Sequence, residues 1–459
     1  MESATIIPFR FRTRIGAAAV VEDWIRDERR DAGNRPEELA DLGAVLFALG
    51  RFGEADTVLR RAVGIDPRCR TGWSRLGDAT AALRRYPEAA ACFCRALAIE
   101  PDHGSALRGL GAVLTGCGAP AEAMPFLDRA VRLEPDDAEA RLRRARALLA
   151  AGRWAEGFAE EERCRRSRDV VAGAPPDGVP RWDGSAFAGR TLLLHEEDGV
   201  ADTLLALRYL PMVKERGGSV LLRVRPALSR LVAGMPGVDR VVAEETLGEP
   251  GTAGVAWRAS LRSLPRLFGT GPDTVPGAGG YLSASRGTAA GWRRRLDDRR
   301  ASIGVPPLRI GLAWEDGAPA HRLPPLGVLA PLARAVPDAQ FHLLREGGTG
   351  GRVAQAPDGM RLVDHPAVLD DLAEAAGLMA ALDLVVAVDG AAAHLAAAMN
   401  RPTWLLLPFE GGWPWHAGRD DTPWYGSMRL FRQPEPFDWE TPVARVAAAL
   451  RELAVEHDP

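Results

Sequence analysis

Amphipathic segments recur along the first part of the chain with a fixed period. Apolar residues return every three or four positions, as on one face of a helix, and every second segment ends in an acidic residue followed by proline. Three of these prolines, Pro67, Pro101 and Pro135, lie 34 residues apart. A period of this length is typical of stacked helical hairpins. The pattern predicts an α-helical repeat array over residues 35–168, preceded by an N-terminal extension over residues 1–34.

Small residues hold fixed places in the aligned repeats, which indicates that two antiparallel helices approach each other closely there. The three columns contain Gly43, Gly77, Gly111 and Ala145, then Ala55, Ala89, Ala123 and Gly157, then Ala62, Ala96 and Ala130. The period, the small columns and the closing proline resemble the tetratricopeptide repeat. That resemblance implies an α-solenoid whose concave groove binds a peptide or a partner protein. The alternative is that the repeats only stabilise or space the domain that follows.

The end of the array departs from the pattern. Arg141 occupies a position that is apolar in the earlier repeats. We expect this last hairpin either to cap the array or to dock on the part of the chain that follows it. A stretch rich in glycine and proline comes next and predicts a linker over residues 169–189.

Beyond the linker, short apolar runs alternate with helical segments. The first series is "RTLLLHEE", "SVLLRV" and "DRVVAE"; the second is "PLRIGLAW", "AQFHLL", "DLVVAVD" and "PTWLLLP". Such alternation predicts parallel sheets with helices on both faces. The predicted fold class is therefore α plus α/β, with the solenoid followed by two Rossmann-type, doubly wound sheets over residues 190–300 and 301–459. Ligands are expected in the crevice between the carboxyl ends of their strands.

Composition and charge exclude several classes of protein. The chain has 459 residues, of which 46% are hydrophobic and 26% charged, and a formal net charge of −3. These values predict folded domains and argue against nucleic acid as a partner. The N-terminus lacks the features of a secretory signal, and no run reaches the roughly 20 apolar residues of a membrane-spanning helix. We expect no membrane span and a cytoplasmic location.

The stretch "VVAVDGAAAHLAAAM" contains the first candidate site. Asp389 and Gly390 follow a predicted strand and precede a predicted helix. The free N–H groups of a helix N-terminus bind phosphate or carboxylate. Ala391 and the two alanines after it leave room for a ligand, and His394 is placed to add a hydrogen bond. The alternative is that Asp389 only caps the helix and His394 is a core histidine.

The first sheet offers a comparable turn. Asp202 lies at the start of the helix after the first strand, beside a glycine-containing turn. A carboxylate that faces the crevice there can accept a proton from a hydroxyl group and act as a catalytic base. The alternative is a purely structural helix cap.

A loop late in the chain is rich in glycine and aromatic residues. It contains Trp413, Trp415, His416, Trp424 and Tyr425. Rings in such a loop either stack on a sugar or a base, or pack between the two halves. The sequence leaves both interpretations open.

Four segments, "RYLP", "VDGAAAHLAAA", "RPTWLLLP" and "TPWYGSMRLFRQ", resemble bacterial proteins in which tetratricopeptide repeats precede a GT-B glycosyltransferase domain related to the ADP-heptose heptosyltransferases. The resemblance implies glycosyl transfer from a nucleotide-sugar donor without a metal or another cofactor. It assigns the role of base to Asp202 and places Asp389 and His394 at the phosphates of the donor. The repeats would recruit the acceptor, which we expect to be a protein.

The same resemblance expects asparagine and several basic residues after the strand "RIGLAW". This chain is shorter there, and Trp314, His321 and Arg322 are the residues that we expect at the donor site, with Glu315 and Asp316 nearby. Acidic side chains beside a diphosphate are unfavourable unless they are paired. This departure keeps a second hypothesis open, in which the protein is a scaffold with a catalytically degenerate transferase domain.

Overall fold

The fold is taken from a computed structural model. It describes residues 35–168, 178–197, 199–243, 254–277, 279–298, 308–313, 324–345 and 356–457. The chain divides into two units, Met1–Leu148 and Leu149–Pro459. The division falls inside a helix, so the last helix of the predicted repeats belongs to the second unit.

Eight helices follow one another in residues 35–168, in pairs that correspond to the predicted hairpins. They are α1 (Pro36–Ala48), α2 (Phe52–Ile65), α3 (Arg70–Ala82), α4 (Tyr86–Ile99), α5 (Gly104–Gly116), α6 (Pro120–Leu133), α7 (Ala138–Ala150) and α8 (Trp154–Arg168). Consecutive helices from α1 to α6 pack against each other. The predicted helical repeat array is confirmed.

The small columns mark the places where paired helices touch. A methyl group added at Gly77 would lie 2.6 Å from the ring of Phe93, and one added at Gly111 would lie 2.4 Å from Leu127. Ala89 and Ala123, in the second column, are fully buried. The close approach of the helices therefore explains why these positions admit only small residues.

Four parallel strands form the first sheet, in the order β3-β2-β1-β4. Its elements are β1 (Thr191–His195), α9 (Val200–Ala206), α10 (Leu210–Lys214), β2 (Ser219–Val224), α11 (Pro226–Val232), β3 (Arg240–Ala243), β4 (Val255–Ser260) and α12 (Leu264–Leu267). Part of the predicted linker packs on this sheet: Trp182 is buried, and its backbone N–H donates to the carbonyl of Arg258 at 2.7 Å.

Six parallel strands form the second sheet, in the order β10-β9-β8-β5-β6-β7. Its elements, with the helix that precedes them, are α13 (Arg286–Asp298), β5 (Arg309–Ala313), α14 (Ala330–Ala335), β6 (Gln340–Leu344), β7 (Leu362–His365), α15 (Leu372–Met379), β8 (Leu384–Val388), α16 (Ala391–Ala398), β9 (Thr403–Leu407), β10 (Met428–Arg432) and α17 (Glu440–His457). The predicted class, a solenoid followed by two doubly wound parallel sheets in a GT-B-like arrangement, is confirmed.

The two sheets share one hydrophobic core. Leu192 and Leu204 of the first half and Ala393 and Leu395 of the second belong to the same buried cluster, and α9 packs against α16. A separate cluster fills the space between the second sheet and α17. The halves of the second unit therefore meet through apolar side chains at the helices that begin after β1 and β8.

Each sheet contains a point at which the direction of strand addition reverses. In the first sheet, the chain builds outward from β1 to β3 and then returns to the other side of β1; in the second, it does the same about β5. Ligands of doubly wound sheets bind at such switch points, outside the carboxyl ends of the strands. The turns after β1 and β8, which carry the candidate residues, both lie at these positions.

Candidate functional site

The turn after β8 presents an open helix N-terminus. Gly390 is the N-cap of α16 and has an extended backbone with φ 176°. A methyl group added there would meet nothing within 4 Å, so the backbone borders open space. Ala391 is half-buried, whereas the next two alanines are packed in the core. The space for a ligand therefore lies at Gly390 and Ala391, and the two later alanines do not contribute to it.

Asp389 does not act as the helix cap. Its Oδ2 accepts a hydrogen bond of 2.9 Å from Nε1 of Trp415. Its Oδ1 lies 3.7 Å from Nε2 of His394, and the side chain is 31% exposed. The interpretation of Asp389 as an N-cap is wrong, because Gly390 holds that position without a capping side chain. The carboxylate is oriented instead by two side chains that flank the turn.

His394 is buried but has polar partners. Its side chain is 5% exposed, and Nδ1 lies 2.8 Å from the hydroxyl of Tyr425. The ring also packs against Trp415, at 5.2 Å between centroids. His394 is thus in the core, as the alternative interpretation held, while its Nε2 faces the partly exposed carboxylate of Asp389.

In the first half, Asp202 lies in the first turn of α9. Gly199 is the N-cap of this helix, so the capping interpretation of Asp202 is also wrong. The carboxylate is 45% exposed and lies 3.5 Å from Nη1 of Arg262. Arg262 also pairs with Glu161 of α8 at 3.0 Å. The candidate base is therefore accessible and held by a guanidinium that a helix of the repeats also contacts.

A shallow polar pocket, with room for about one water molecule, lies at the carboxyl ends of β1 and β4. His195, Arg181 and Arg258 line it together with Glu162. Burial lowers the pKa of His195 to about 3, and the charge of Arg223 acts in the same direction. His195 is therefore neutral at physiological pH and adds no positive charge to this edge of the sheet.

The predicted donor residues of the β5 segment, Trp314, His321 and Arg322, lie outside the described residues. A different cation, Arg432, ends β10 at the same edge of the second sheet. Its Nη2 donates to the carbonyl of His416 at 2.9 Å. Burial lowers the pKa of Arg432, and the charge of Asp389 opposes this effect. The alternation in "SMRLFRQ" could have indicated a strand whose end faces the crevice, but we did not predict it.

The aromatic loop serves packing. Trp424 stacks on Trp154 of α8 at 5.2 Å between centroids, His416 stacks on the same ring at 5.6 Å, and Trp413 meets its edge at 5.7 Å. Trp415, Trp424 and Tyr425 are almost fully buried. The interpretation of these rings as sugar-stacking surfaces is therefore not supported for the buried three. Docking of the last repeat hairpin on the domain that follows is confirmed for α8.

The described part of the chain shows neither a metal-binding cluster nor a membrane-spanning helix. It contains no group of three or more His, Cys, Asp or Glu side chains that could hold a metal ion. None of its helices is long and apolar enough to cross a membrane. The absence of a metal requirement and the cytoplasmic location stay predictions.

Comparison with known families agrees with both parts of the chain. Tetratricopeptide repeat profiles match residues 40–102, 75–133 and 114–157. The profile of glycosyltransferase family 9 (heptosyltransferase) matches residues 369–406. The chain carries tetratricopeptide repeats and a heptosyltransferase-like domain. The matched segment of that domain runs from the start of α15 through β9 and includes the turn at Asp389 and Gly390.

Individual relatives share less than a third of their aligned residues with this chain. Protein FlbA of Caulobacter vibrioides is 28% identical over 341 residues, which cover 68% of this chain and 54% of that protein. The chain therefore spans about half the length of this curated relative. Among solved structures, a family 9 glycosyltransferase from Veillonella parvula is 10% identical, with 60% of this chain and 100% of that chain covered and a TM-score of 0.44. A mutant O-GlcNAc transferase from Thermobaculum terrenum is 17% identical, with 93% of each chain covered and a TM-score of 0.35.

Proposed function

We propose that the protein is a glycosyltransferase that transfers a sugar from a nucleotide-sugar donor to an acceptor recruited by the repeats. The observation that carries the proposal is the family 9 profile match over residues 369–406, which includes the open helix N-terminus at Gly390. No cofactor is required, because the donor itself supplies the activated sugar.

The donor diphosphate binds at the N-terminus of α16. The free N–H groups there and the partial positive charge of the helix favour an anion. Arg432 adds a cation at the same edge of the sheet, and Trp314, His321 and Arg322 remain the predicted contributors from the segment after β5. These charges stabilise the diphosphate as it departs.

Asp202 is the proposed base. It accepts the proton of an acceptor hydroxyl while the hydroxyl oxygen attacks the anomeric carbon of the sugar. The bond between that carbon and the diphosphate oxygen breaks in the same displacement, so the configuration of the sugar inverts. The ion pair with Arg262, at 3.5 Å, supports this role because it orients the carboxylate.

The acceptor is proposed to be a protein that binds in the groove of the tetratricopeptide repeats. Each stacked hairpin contributes to one extended surface, which suits a segment of polypeptide better than a small molecule. The last helix of the repeats, α8, belongs to the same unit as the two sheets and stacks on Trp424 through Trp154.

The test is a titration of the purified protein with a panel of nucleotide sugars, followed by measurement of donor hydrolysis and transfer. Asp202→Asn should lower turnover at least 100-fold and leave donor affinity unchanged, because general base catalysis contributes about 10²–10⁴-fold. Asp239→Asn is the matched control: Asp239 is a carboxylate of the same half, 41% exposed and paired with Lys214 at 2.6 Å. Equal activity of the two variants would refute the assignment of the base.

A scaffold without activity is the second candidate. It is favoured by the burial of His394 and of two of the three alanines that follow Gly390, in a helix against which α9 packs. In that case no nucleotide sugar binds the purified protein, while partner capture by the repeats persists. Binding of any one donor with hydrolysis would exclude this candidate.

A further inference from the structure

A chain of polar side chains, which are buried except for the half-buried Tyr281, runs from the first half of the second unit to the turn at Asp389. It begins at Arg208 of the "RYLP" segment and passes through Tyr281 and Tyr425 to His394. Arg208 is 2% exposed, and its Nη2 donates to the hydroxyl of Tyr281 at 3.1 Å. The two tyrosine hydroxyl oxygens lie 3.4 Å apart, and that of Tyr425 lies 2.8 Å from Nδ1 of His394.

The protons of this chain can be assigned one by one. A backbone carbonyl can only accept, so the hydroxyl of Tyr281 donates to the carbonyl of Leu204 at 2.9 Å. Tyr281 then has no proton left for Tyr425. The hydroxyl of Tyr425 has two possible acceptors, the oxygen of Tyr281 at 3.4 Å and Nδ1 of His394 at 2.8 Å. The shorter contact is the better hydrogen bond.

This assignment determines the state of the imidazole. If Tyr425 donates to Nδ1, that nitrogen carries no proton, and the proton of the neutral ring is on Nε2. Nε2 is the atom that lies 3.7 Å from Oδ1 of Asp389.

We infer that Tyr425 is a positioning residue that holds His394 as the neutral tautomer with its proton on Nε2, directed at Asp389. Each oxygen of the Asp389 carboxylate then faces an N–H group: Nε2 of His394 lies near Oδ1, and Nε1 of Trp415 donates to Oδ2. Arg208 and Tyr281 support this arrangement from the first half, since Arg208 also donates to the carbonyl of Trp424 at 2.8 Å. The consequence for donor binding rests on the proposed function; the tautomer itself does not.

The direct test is nuclear magnetic resonance of protein labelled with ¹⁵N-histidine, in which long-range ¹H–¹⁵N correlations distinguish protonated from unprotonated ring nitrogens. The signals of His394 are assigned with His394→Gln. The wild type should show a protonated Nε2 and an unprotonated Nδ1. Tyr425→Phe, which keeps the ring and removes only the hydroxyl, should produce a mixture of tautomers. A protonated Nδ1 in the wild type would overturn the inference.

Two further variants distinguish the effect of the hydrogen bond between Tyr425 and His394 from general effects on packing. Tyr209→Phe removes the hydroxyl of another buried tyrosine, which bonds Thr270 at 2.7 Å, and should leave the signals of His394 unchanged. Tyr281→Phe removes the competing acceptor of Tyr425 and should also preserve the tautomer. A change of tautomer in Tyr281→Phe would show that Tyr425 donates to Tyr281 instead, which contradicts the inference.

A second measurement tests the link to the donor. Titration with UDP, GDP and ADP should show that Tyr425→Phe raises the dissociation constant of the nucleotide that binds the wild type by about 3- to 10-fold, as expected for the loss of one buried hydrogen bond. An unchanged constant would refute the link. If none of these nucleotides binds the wild type, the proposed function loses support, while the tautomer measurement still decides the present inference.

Discussion

The packing of α8 on the aromatic loop over residues 408–427 depends on Trp154. Its side chain is 1% exposed and stacks on Trp424 and His416. Its Nε1 donates to the carbonyl of Leu149 at 3.1 Å. Trp154→Ala removes this ring and leaves a cavity between α8 and the aromatic loop over residues 408–427.

The free-energy cost of Trp154→Ala follows from the burial of the tryptophan side chain. Replacement of a fully buried tryptophan by alanine costs about 3–5 kcal/mol, because the apolar contacts are lost and the cavity closes only in part. This cost should fall on the contact between α8 and the loop. Since about 1.4 kcal/mol corresponds to a factor of ten, the opening equilibrium of this contact should rise by about two to three and a half orders of magnitude.

Hydrogen exchange followed by mass spectrometry measures this opening directly. Peptides from α8 and from the loop should exchange faster by a similar factor in Trp154→Ala, while peptides from α1 to α6 should not change. Trp73→Ala is the control in the repeats, where the half-buried indole bonds the carbonyl of Pro67. If the loop peptides exchange at the wild-type rate in Trp154→Ala, the contact between α8 and the loop does not depend on Trp154, which would refute the reasoning.

Two further predictions concern stability. Gly109→Ala should destabilise the repeats by about 1–3 kcal/mol in urea unfolding, because the added carbon would lie 2.3 Å from the ring of Phe93. Gly64→Ala, in an exposed helical position with nothing within 4 Å, should instead stabilise them by about 0.5–1 kcal/mol; equal effects would refute the packing argument. For Glu162, burial opposes ionisation, but the hydrogen bond from Ser263 and the charge of Arg165 outweigh it and lower its pKa to about 2. The second unit should therefore lose about 3 kcal/mol of stability as the pH falls from about 4.5 to about 2, and Glu162→Gln should flatten that part of the pH profile.

The sequence predicted those parts of the fold that local patterns determine. The small columns were interpretable because two helices at close range restrict the size of residues at fixed intervals, as the contact between Gly77 and Phe93 shows. Three strands were missed: β7 has only four residues, and β4 and β10 carry arginines among their apolar positions. Their place in a sheet depends on neighbouring strands, which no local pattern contains.

In the candidate site, too, local sequence predicted some features, and others depend on residues distant in the chain. The turn at Asp389 and Gly390 was predictable, because a buried strand followed by glycine and a helix has a known shape. The partners of Asp389 and His394 were not, since Trp415 and Tyr425 come from a loop 26 and 31 residues further along the chain. In the sequence that loop suits a ligand or a core equally well, and only its stacking on Trp154 decides between them.

The central claim is that the N-terminus of α16 binds the diphosphate of a nucleotide sugar, and Gly390 allows a direct test. A Cβ added there meets no protein atom within 4 Å, and φ of 176° suits any residue, so Gly390→Val should fold normally while it fills the space that the ligand needs. Gly291→Val, at another glycine with nothing within 4 Å, is the control. In calorimetric titration with UDP, GDP and ADP, the account predicts that a nucleotide binds the wild type and Gly291→Val, and binds Gly390→Val at least tenfold more weakly. Equal affinity for all three proteins, or no binding by the wild type, would contradict it.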